Sequence, residues 1–247
     1  GNELLLYNLS LGYLNQEGLE GETSKERYNF RINTEIKLTD KLKAGTNLYA
    51  YWQKLKGNPN VMNIIKDGAG SPGVLPIHPD GRFGGPQVEG EGFVGNPAAT
   101  LASQDQTRYN QFFLGKLYAE YEFLDGLVLQ TNAAIKFSNY KYKGISEPFV
   151  IWNFRTNEVA RESNQTLISL GESNDFDKTL TSYTTLNYQK SIGDHYLNLL
   201  TGHSIETFES ENFSASIKDL FSTATSVINA GTLEPNVGGN FTEWELI

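Results

Sequence analysis

"RYNFRINTEIKLTDKLKAGTNLYAYW", Arg27 to Trp52, alternates apolar and polar side chains through most of its length. Tyr28, Phe30, Ile32, Ile36 and Leu38 fall on one side; Arg27, Asn29, Arg31, Asn33, Glu35 and Lys37 fall on the other. Successive side chains of a strand point to opposite faces, so the first half is a strand with one apolar and one charged face. "LTDKL" around Asp40 reads as a tight turn. Beyond it Leu42, Ala44, Leu48 and Trp52 resume the apolar row against Lys43, Asn47, Tyr49 and Gln53. An apolar face of this kind meets either a protein core or lipid.

Composition narrows the choice of class. Hydrophobic residues make up 38% of the 247, while Gly (24), Tyr (13) and Phe (14) are plentiful, which suits an aromatic-rich β protein and not a helical bundle. The length is enough for one large domain or two small ones. There is no cysteine, so disulfide frameworks and thiolate metal sites are excluded. A net charge of −9 with no basic cluster argues against a nucleic-acid partner. No apolar run approaches the ~18 residues of a membrane helix; "LLLY" and "PFVIW" (Pro148–Trp152) are far shorter. Gly1 opens inside an alternating pattern with no signal peptide before it, so the chain reads as a piece of something longer.

About seven strands of barrel-like length are expected, over 4–14, 26–38, 42–54, 110–123, 127–140, 178–189 and 195–206. Their connections alternate in length. "LTDKL", "FLDGL" at Asp125-Gly126 and "KSIGDH" at Gly193-Asp194 are tight, and Asp-Gly or Gly-Asp between alternating runs is a hairpin signal. Residues 15–25, 55–109, 141–177 and the tail beyond Thr207 read as long loops. Short turns at one end and long loops at the other are the plan of a transmembrane barrel.

The outward rows begin or end in aromatics: Tyr7, Tyr13, Tyr28, Trp52, Phe123, Phe137 and Tyr188. Rings at the ends of an apolar band form the girdle of an outer-membrane barrel, so lipid is favoured over a core. Seven is odd and below the minimum of about 8 strands for a closed bacterial barrel, and hydrocarbon cannot satisfy an open edge. The fold class is therefore all-β: an antiparallel transmembrane β-barrel wall section with long extracellular loops.

At this stage "YNLSLGYLNQEGLEG", "ERYNFRINTEIKLTDKLKAGTNL", "PGVLPIHPDGRF", "GNPAATL", "LYAEYEFLDGLVLQTNAAI" and "LNYQKSIGDHYLNLLTGH" together resemble the barrel of the SusC/RagA family of TonB-dependent outer-membrane transporters of Bacteroidetes. The likeness runs from the first residues to about residue 206. It implies a barrel of about 22 strands with a plugged lumen. It also implies an importer of oligosaccharides or peptides that works with a SusD-like surface lipoprotein. Residues 1–247 would be a partial barrel domain of the outer membrane of a Gram-negative bacterium, without the plug and the TonB-contacting segment.

No catalytic constellation is present, so an enzyme is not expected, nor is a cofactor or a metal. His78, His195 and His203 stand apart. "HPDG" at His78–Gly81 is a turn signal first. The glycine-rich "GAGSPG" and "GGPQVEGEG" do not open a helix, and Asp175 with Asp177 reads as solvated charge before it reads as oxygen ligands for calcium. Ligand contact is the better expectation, because aromatic platforms beside polar groups hold saccharides and peptides. The candidates are Tyr49, Tyr51 and Tyr118 on inner faces, and Phe83, Phe93, Trp152, Phe154 and Arg155 in loops. "NVMNIIKDGAG" (60–70) has the spacing of a short helix ending at glycine. Two rival readings share the alternation: a soluble cell-surface glycan-binding β-sandwich, and an outer-membrane barrel serving protein secretion.

Overall fold

The hairpin around Asp40 forms as the alternation requires, and the computed structural model describes residues 4–19, 23–67, 75–87 and 95–247. In chain order the elements are β1 (Leu5–Glu17), β2 (Ser24–Thr39), β3 (Leu42–Lys56), α1 (Val61–Asp67), β4 (Phe83–Gly84) and α2 (Pro97–Ala102). They continue with β5 (Gln104–Leu124), β6 (Leu127–Ser146), β7 (Val150–Asn153), β8 (Glu158–Glu162), β9 (Ser169–Ile192), β10 (His195–Lys218) and β11 (Leu233–Leu246). Eight strands form one sheet in the order β1-β2-β3-β5-β6-β9-β10-β11, and every neighbouring pair is antiparallel. β1 and β11 are its edges. A second, three-stranded sheet, β4-β7-β8, is built from the connections.

Cross-strand register carries the apolar rows across the sheet. Leu9 faces Ile32, which faces Leu48, Gly115, Ile135 and Leu180 in turn. This face lies open: Leu9 is 58% exposed, Leu11 74%, Leu117 62% and Leu199 57%. Among the described residues no second layer covers it, so its apolar surface is far beyond what a soluble monomer leaves bare.

The edge of the apolar band has a slope. On each strand it ends at the last apolar side chain before a charged or amide one, with threonines, Ser182 and His203 falling inside the band. Tyr13, Tyr28 and Trp52 share one row; Phe113 and Phe137 lie two residues nearer the turns, Leu180 four and Ile205 six. Six residues at ~3.4 Å against six strand spacings of ~4.8 Å give a tilt of roughly 35°, within the range of a transmembrane barrel. A chain of rings runs along this edge and then one step past it: Tyr13 to Tyr28 at 4.9 Å, Tyr28 to Trp52 at 5.8 Å and Trp52 to Tyr109, which stands four residues beyond Phe113, at 6.0 Å. Tyr7 differs from the expected girdle, since it sits opposite Thr34 within the band.

Three turns, at Asp40, Gly126 and Gly193, lie at one end of the sheet, and the long connections lie at the other. Gly126 has φ +78°, a left-handed conformation that glycine adopts without steric cost.

Two expectations need correction. The main sheet has eight strands, not seven, and 207–247 is not a loop: β10 continues to Lys218 and β11 pairs with it from Leu233 to Leu246. β11 reads "LEPNVGGNFTEWEL"; its proline, glycines and asparagines have low strand preference, and backbone pairing to β10 overrides it. With eight strands the odd-number argument lapses. The open order of the sheet, with two unpaired edges, takes its place. The strands also run beyond the band on the loop side. β9 and β10 have 24 residues each, and with β3 ending at Lys56, β5 starting at Gln104, β6 ending at Ser146 and β9 starting at Ser169 the connections shorten to residues 57–103 and 147–168.

Above the band the connections are folded. The core cluster of Ile145, Leu170, Ile217 and Leu220, with Ile168 and Ile228 against it, caps the tops of β6, β9 and β10. α1 forms where the helical spacing was read. α2 is capped by Asn96, whose side chain accepts from the Ala99 N–H, with Pro97 in the first turn, a start signal present in "NPAATL".

Candidate functional site

The polar face of the hairpin carries a cluster near its loop end. Arg27 and Arg31 lie on β2, Tyr49 and Tyr51 on β3, and Phe112 on β5. Register places Asn29, Tyr51 and Phe112 in one row and Arg31 and Tyr49 in the next. Arg27 Nε donates to Asn29 Oδ1 at 2.7 Å, and Nη2 donates to the Tyr49 hydroxyl at 2.7 Å. Its guanidinium lies 4.3 Å over the Tyr51 ring, and that of Arg31 lies 5.1 Å over Tyr49. Tyr51 stacks on Phe112 at 5.4 Å and 11°. Each cation over a ring contributes about 0.5–1 kcal/mol at a partly exposed site, and the product is an ordered platform of rings with two fixed positive charges.

Farther toward the turns, Tyr118 crosses a strand. It faces Gly45, which faces Glu35, and its hydroxyl donates to Glu35 Oε2 at 2.8 Å. A Cβ at Gly45 would run into the Tyr118 ring, so glycine there lets the ring lie flat across β3. Beside it Lys116 Nζ donates to the Tyr183 hydroxyl at 3.2 Å. Asn132, between Tyr118 and Tyr183 in the register, is 1% exposed, and its amide oxygen and nitrogen have no partner among the described residues.

The loops supply a third cluster. The Arg82 guanidinium sits 4.5 Å from the Trp152 ring and 4.6 Å from the Phe154 ring. Its Nη2 is 2.7 Å from Asp80 Oδ2, and its Nη1 donates to Asn157 Oδ1 at 3.1 Å. The Asp80 carboxyl is held below its ordinary range, first by the Arg82 side chain and then by the Arg82 N–H. His78 stacks on Phe154. Phe83 pairs in parallel with Ile151, so the β3–β5 connection is bound to the β6–β9 connection. The Phe154 and Arg155 N–H groups donate to Gln87 Oε1 at 3.1 and 3.2 Å; the Arg155 side chain is exposed. A cavity of about 280 Å³ lies beside this sheet, lined by Asn96, Gln104, Glu147, Phe149, Arg161 and Gln165 among others.

The sequence candidates thus divide. Tyr49 and Tyr51 come together, Tyr118 stands apart from them on the same face, and Phe83, Trp152, Phe154 and Arg155 belong to the loop sheet. Phe93 lies outside the described residues. The reading missed Arg27, Arg31, Phe112 and Arg82. The first two were legible as arginines four apart on the polar side of an alternating strand. Asp177 accepts from Ser210 at 2.7 Å and Ser138 at 3.4 Å, and Asp175 accepts from Asn212. Among the described residues no three His, Asp or Glu side chains converge as a metal site would need.

A tilted antiparallel sheet with one bare apolar face, one polar face, tight turns at one end and folded loops at the other is a β-barrel wall section. Two curated relatives match it along nearly its whole length, both from Formosa agariphila. TonB-dependent receptor P26 is 27% identical over 95% of this chain, and TonB-dependent receptor P3 is 24% identical over 98%. The chain spans only 23% and 24% of those receptors. Among solved structures, it superposes on a chain of the RagAB peptide importer in its closed-closed state with a TM-score of 0.74. The identity is 20%, covering 99% of this chain and 28% of that one. The open-open state of RagAB gives the same TM-score at 19% identity. No protein-family model matches. In sequence the chain therefore resembles TonB-dependent receptors, and in fold it resembles a section of a RagAB chain.

Proposed function

We propose that the chain is part of the wall of a TonB-dependent nutrient importer of the outer membrane. It would belong to a barrel of about 22 strands that works with a SusD-like lipoprotein to take up oligosaccharides or peptides, TonB acting through parts outside this chain. The observation that carries the reading is the bare, sloping apolar band bounded by the Tyr13–Tyr28–Trp52–Tyr109 ring chain. A soluble glycan-binding sandwich would need a second sheet over Leu11 and Leu117, and these residues are open.

On this reading the polar face lines the lumen. Tyr49, Tyr51 and Tyr118 offer rings and hydroxyls to a passing ligand, and Arg27 and Arg31 offer charge. The loop sheet with Phe83, Trp152, Phe154 and Arg155 stands over the mouth, where ligand or lipoprotein arrives. Transport here is binding and gating, with no bond made or broken by these residues.

The test is uptake of labelled oligosaccharides and peptides by cells carrying or lacking the full-length gene, with and without a protonophore. Gene-dependent, protonophore-sensitive uptake of either class supports the reading. A full-length product found outside the outer membrane overturns it.

A further inference from the structure

On the apolar side, in the row just beyond Trp52, three residues stand directly opposite one another: Lys54 on β3, Tyr109, the last ring of the chain, on β5 and Lys141 on β6. Lys54 turns its Nζ over the Tyr109 ring at 5.9 Å. Its neighbour on the other side, Glu26, instead accepts from the Tyr28 hydroxyl at 2.7 Å. Lys141 is exposed and has no ion-pair partner among the described residues. The nearby lysines are occupied: Lys143 bridges Glu172 at 3.1 Å and Lys178 bridges Glu209 at 3.0 Å. Two ammonium groups with no ion-pair partner among the described residues therefore flank one aromatic ring.

Beside them is a groove of about 270 Å³ lined by Tyr109, Lys141, Asn174 and Phe213 among others. Lys141 faces Asn174, which faces Phe213. The amide oxygen of Asn174 is buried without a hydrogen-bond donor among the described residues. Phe213 is 50% exposed. Below the groove Phe113 and Phe137 stack at 5.2 Å, at the top of the apolar band.

We propose that this row is a binding site for the phosphate of an anionic outer-leaflet lipid, a step that rests on the membrane orientation given above. Lys54 lies two residues past the edge of the band and Lys141 four, or about 6 and 11 Å above the hydrocarbon at the derived tilt. The headgroup layer extends roughly 5–8 Å outward from the hydrocarbon, so Lys54 lies within it and Lys141 just above it, within reach of a lysine side chain that extends toward it. The two ammonium groups hold the phosphate from either side. Tyr109 and Phe213 bed the headgroup, and the acyl chains descend over Phe113 and Phe137. Lysine, a compact point charge, suits a phosphate approached from several directions.

The test uses the purified full-length receptor in detergent and native mass spectrometry with diphosphoryl lipid A and with its dephosphorylated form. The Lys54→Gln/Lys141→Gln variant is compared with wild type and with Lys37→Gln/Lys43→Gln, which removes the same charge from the polar face. Wild type and control are expected to retain the phosphorylated lipid, the Lys54/Lys141 variant roughly thirtyfold less, on the order of 1 kcal/mol for each of the two lysines near an anionic surface. Inorganic phosphate at equal concentration should not displace the lipid; displacement would mean a free-phosphate site and overturn the lipid assignment. Equal retention by test and control variants, or of the dephosphorylated form, also overturns it. A receptor that does not fractionate with the outer membrane removes the transporter reading itself, whereas an inserted receptor indifferent to the two lysines removes the lipid site alone.

Discussion

Arg27 on β2 donates to the hydroxyl of Tyr49 on β3 at 2.7 Å, a diagonal bond across the polar face of the hairpin whose alternation set the fold. It fixes the Tyr49 ring beneath Arg31 and leaves the Arg27 plane over Tyr51. A flexible cation and two rings thus become one surface with little rotamer freedom left to lose on binding.

Tyr51→Ala in the full-length importer removes the central ring of this platform. An aromatic contact of this kind contributes about 1 kcal/mol, so the KM for uptake should rise roughly fivefold. Barrel insertion should be unchanged and Tyr51→Phe should stay near wild type. Uptake kinetics in cells expressing each variant check this.

Gly45→Ala places a methyl group against the Tyr118 ring and displaces its hydroxyl from Glu35. Overpacking at a site of this kind costs about 1–3 kcal/mol, and the temperature at which the folded band converts on electrophoresis should fall. Adding Tyr118→Ala should recover part of the loss, because the two residues share one contact.

Much of this was legible in the sequence. The faces of β1, β2, β3 and β6 follow from a period of two, and the three turns and the side of the long connections follow from "LTDKL" and from the Asp-Gly and Gly-Asp dipeptides. β11 was not legible: Pro235, Gly238 and Gly239 interrupt the pattern before the short alternation at Thr242–Leu246, and pairing to β10 orders the whole. Tyr49 and Tyr51 stood out as rings on a polar face, whereas Phe112 and Arg82 did not. Phe112 joins the platform through the register of β3 with β5, and Arg82 meets Trp152 through a parallel pairing of two connections. Neither contact leaves a local mark.

Arg82→Ala empties the space between Trp152 and Phe154 and frees Asp80. Two exposed cation–ring contacts are worth about 0.5–1 kcal/mol each, so the pairing of β4 with β7 should open more often. Protease added outside intact cells should then cut the variant within 75–87 or 147–168 several times faster than wild type. The strands of the band should remain protected.

Asp80 also sets a pH response. Its carboxyl is lowered chiefly by the Arg82 side chain, so its contribution is complete above the unfolded aspartate value of about 3.9. That contribution is lost as pH falls through the still lower folded value. Tryptophan fluorescence of the receptor should show a change below about pH 4. Asp80→Asn should show a loosened loop at neutral pH and lack that acid step.

The central claim is that the apolar face meets lipid, and spin labels measure this directly. Single cysteines would be placed by turns at 30, 31, 32, 47, 48 and 117 in the full-length, membrane-inserted receptor on a cysteine-free background. Each would carry a nitroxide, with its collisions measured against oxygen, which concentrates in the bilayer, and against a water-soluble nickel chelate. Labels at 30, 32, 48 and 117 should collide freely with oxygen and hardly with nickel, and labels at 31 and 47 should not share that pattern. Low collision with both reagents at the apolar positions would mean that a protein layer covers them, and would contradict the barrel wall.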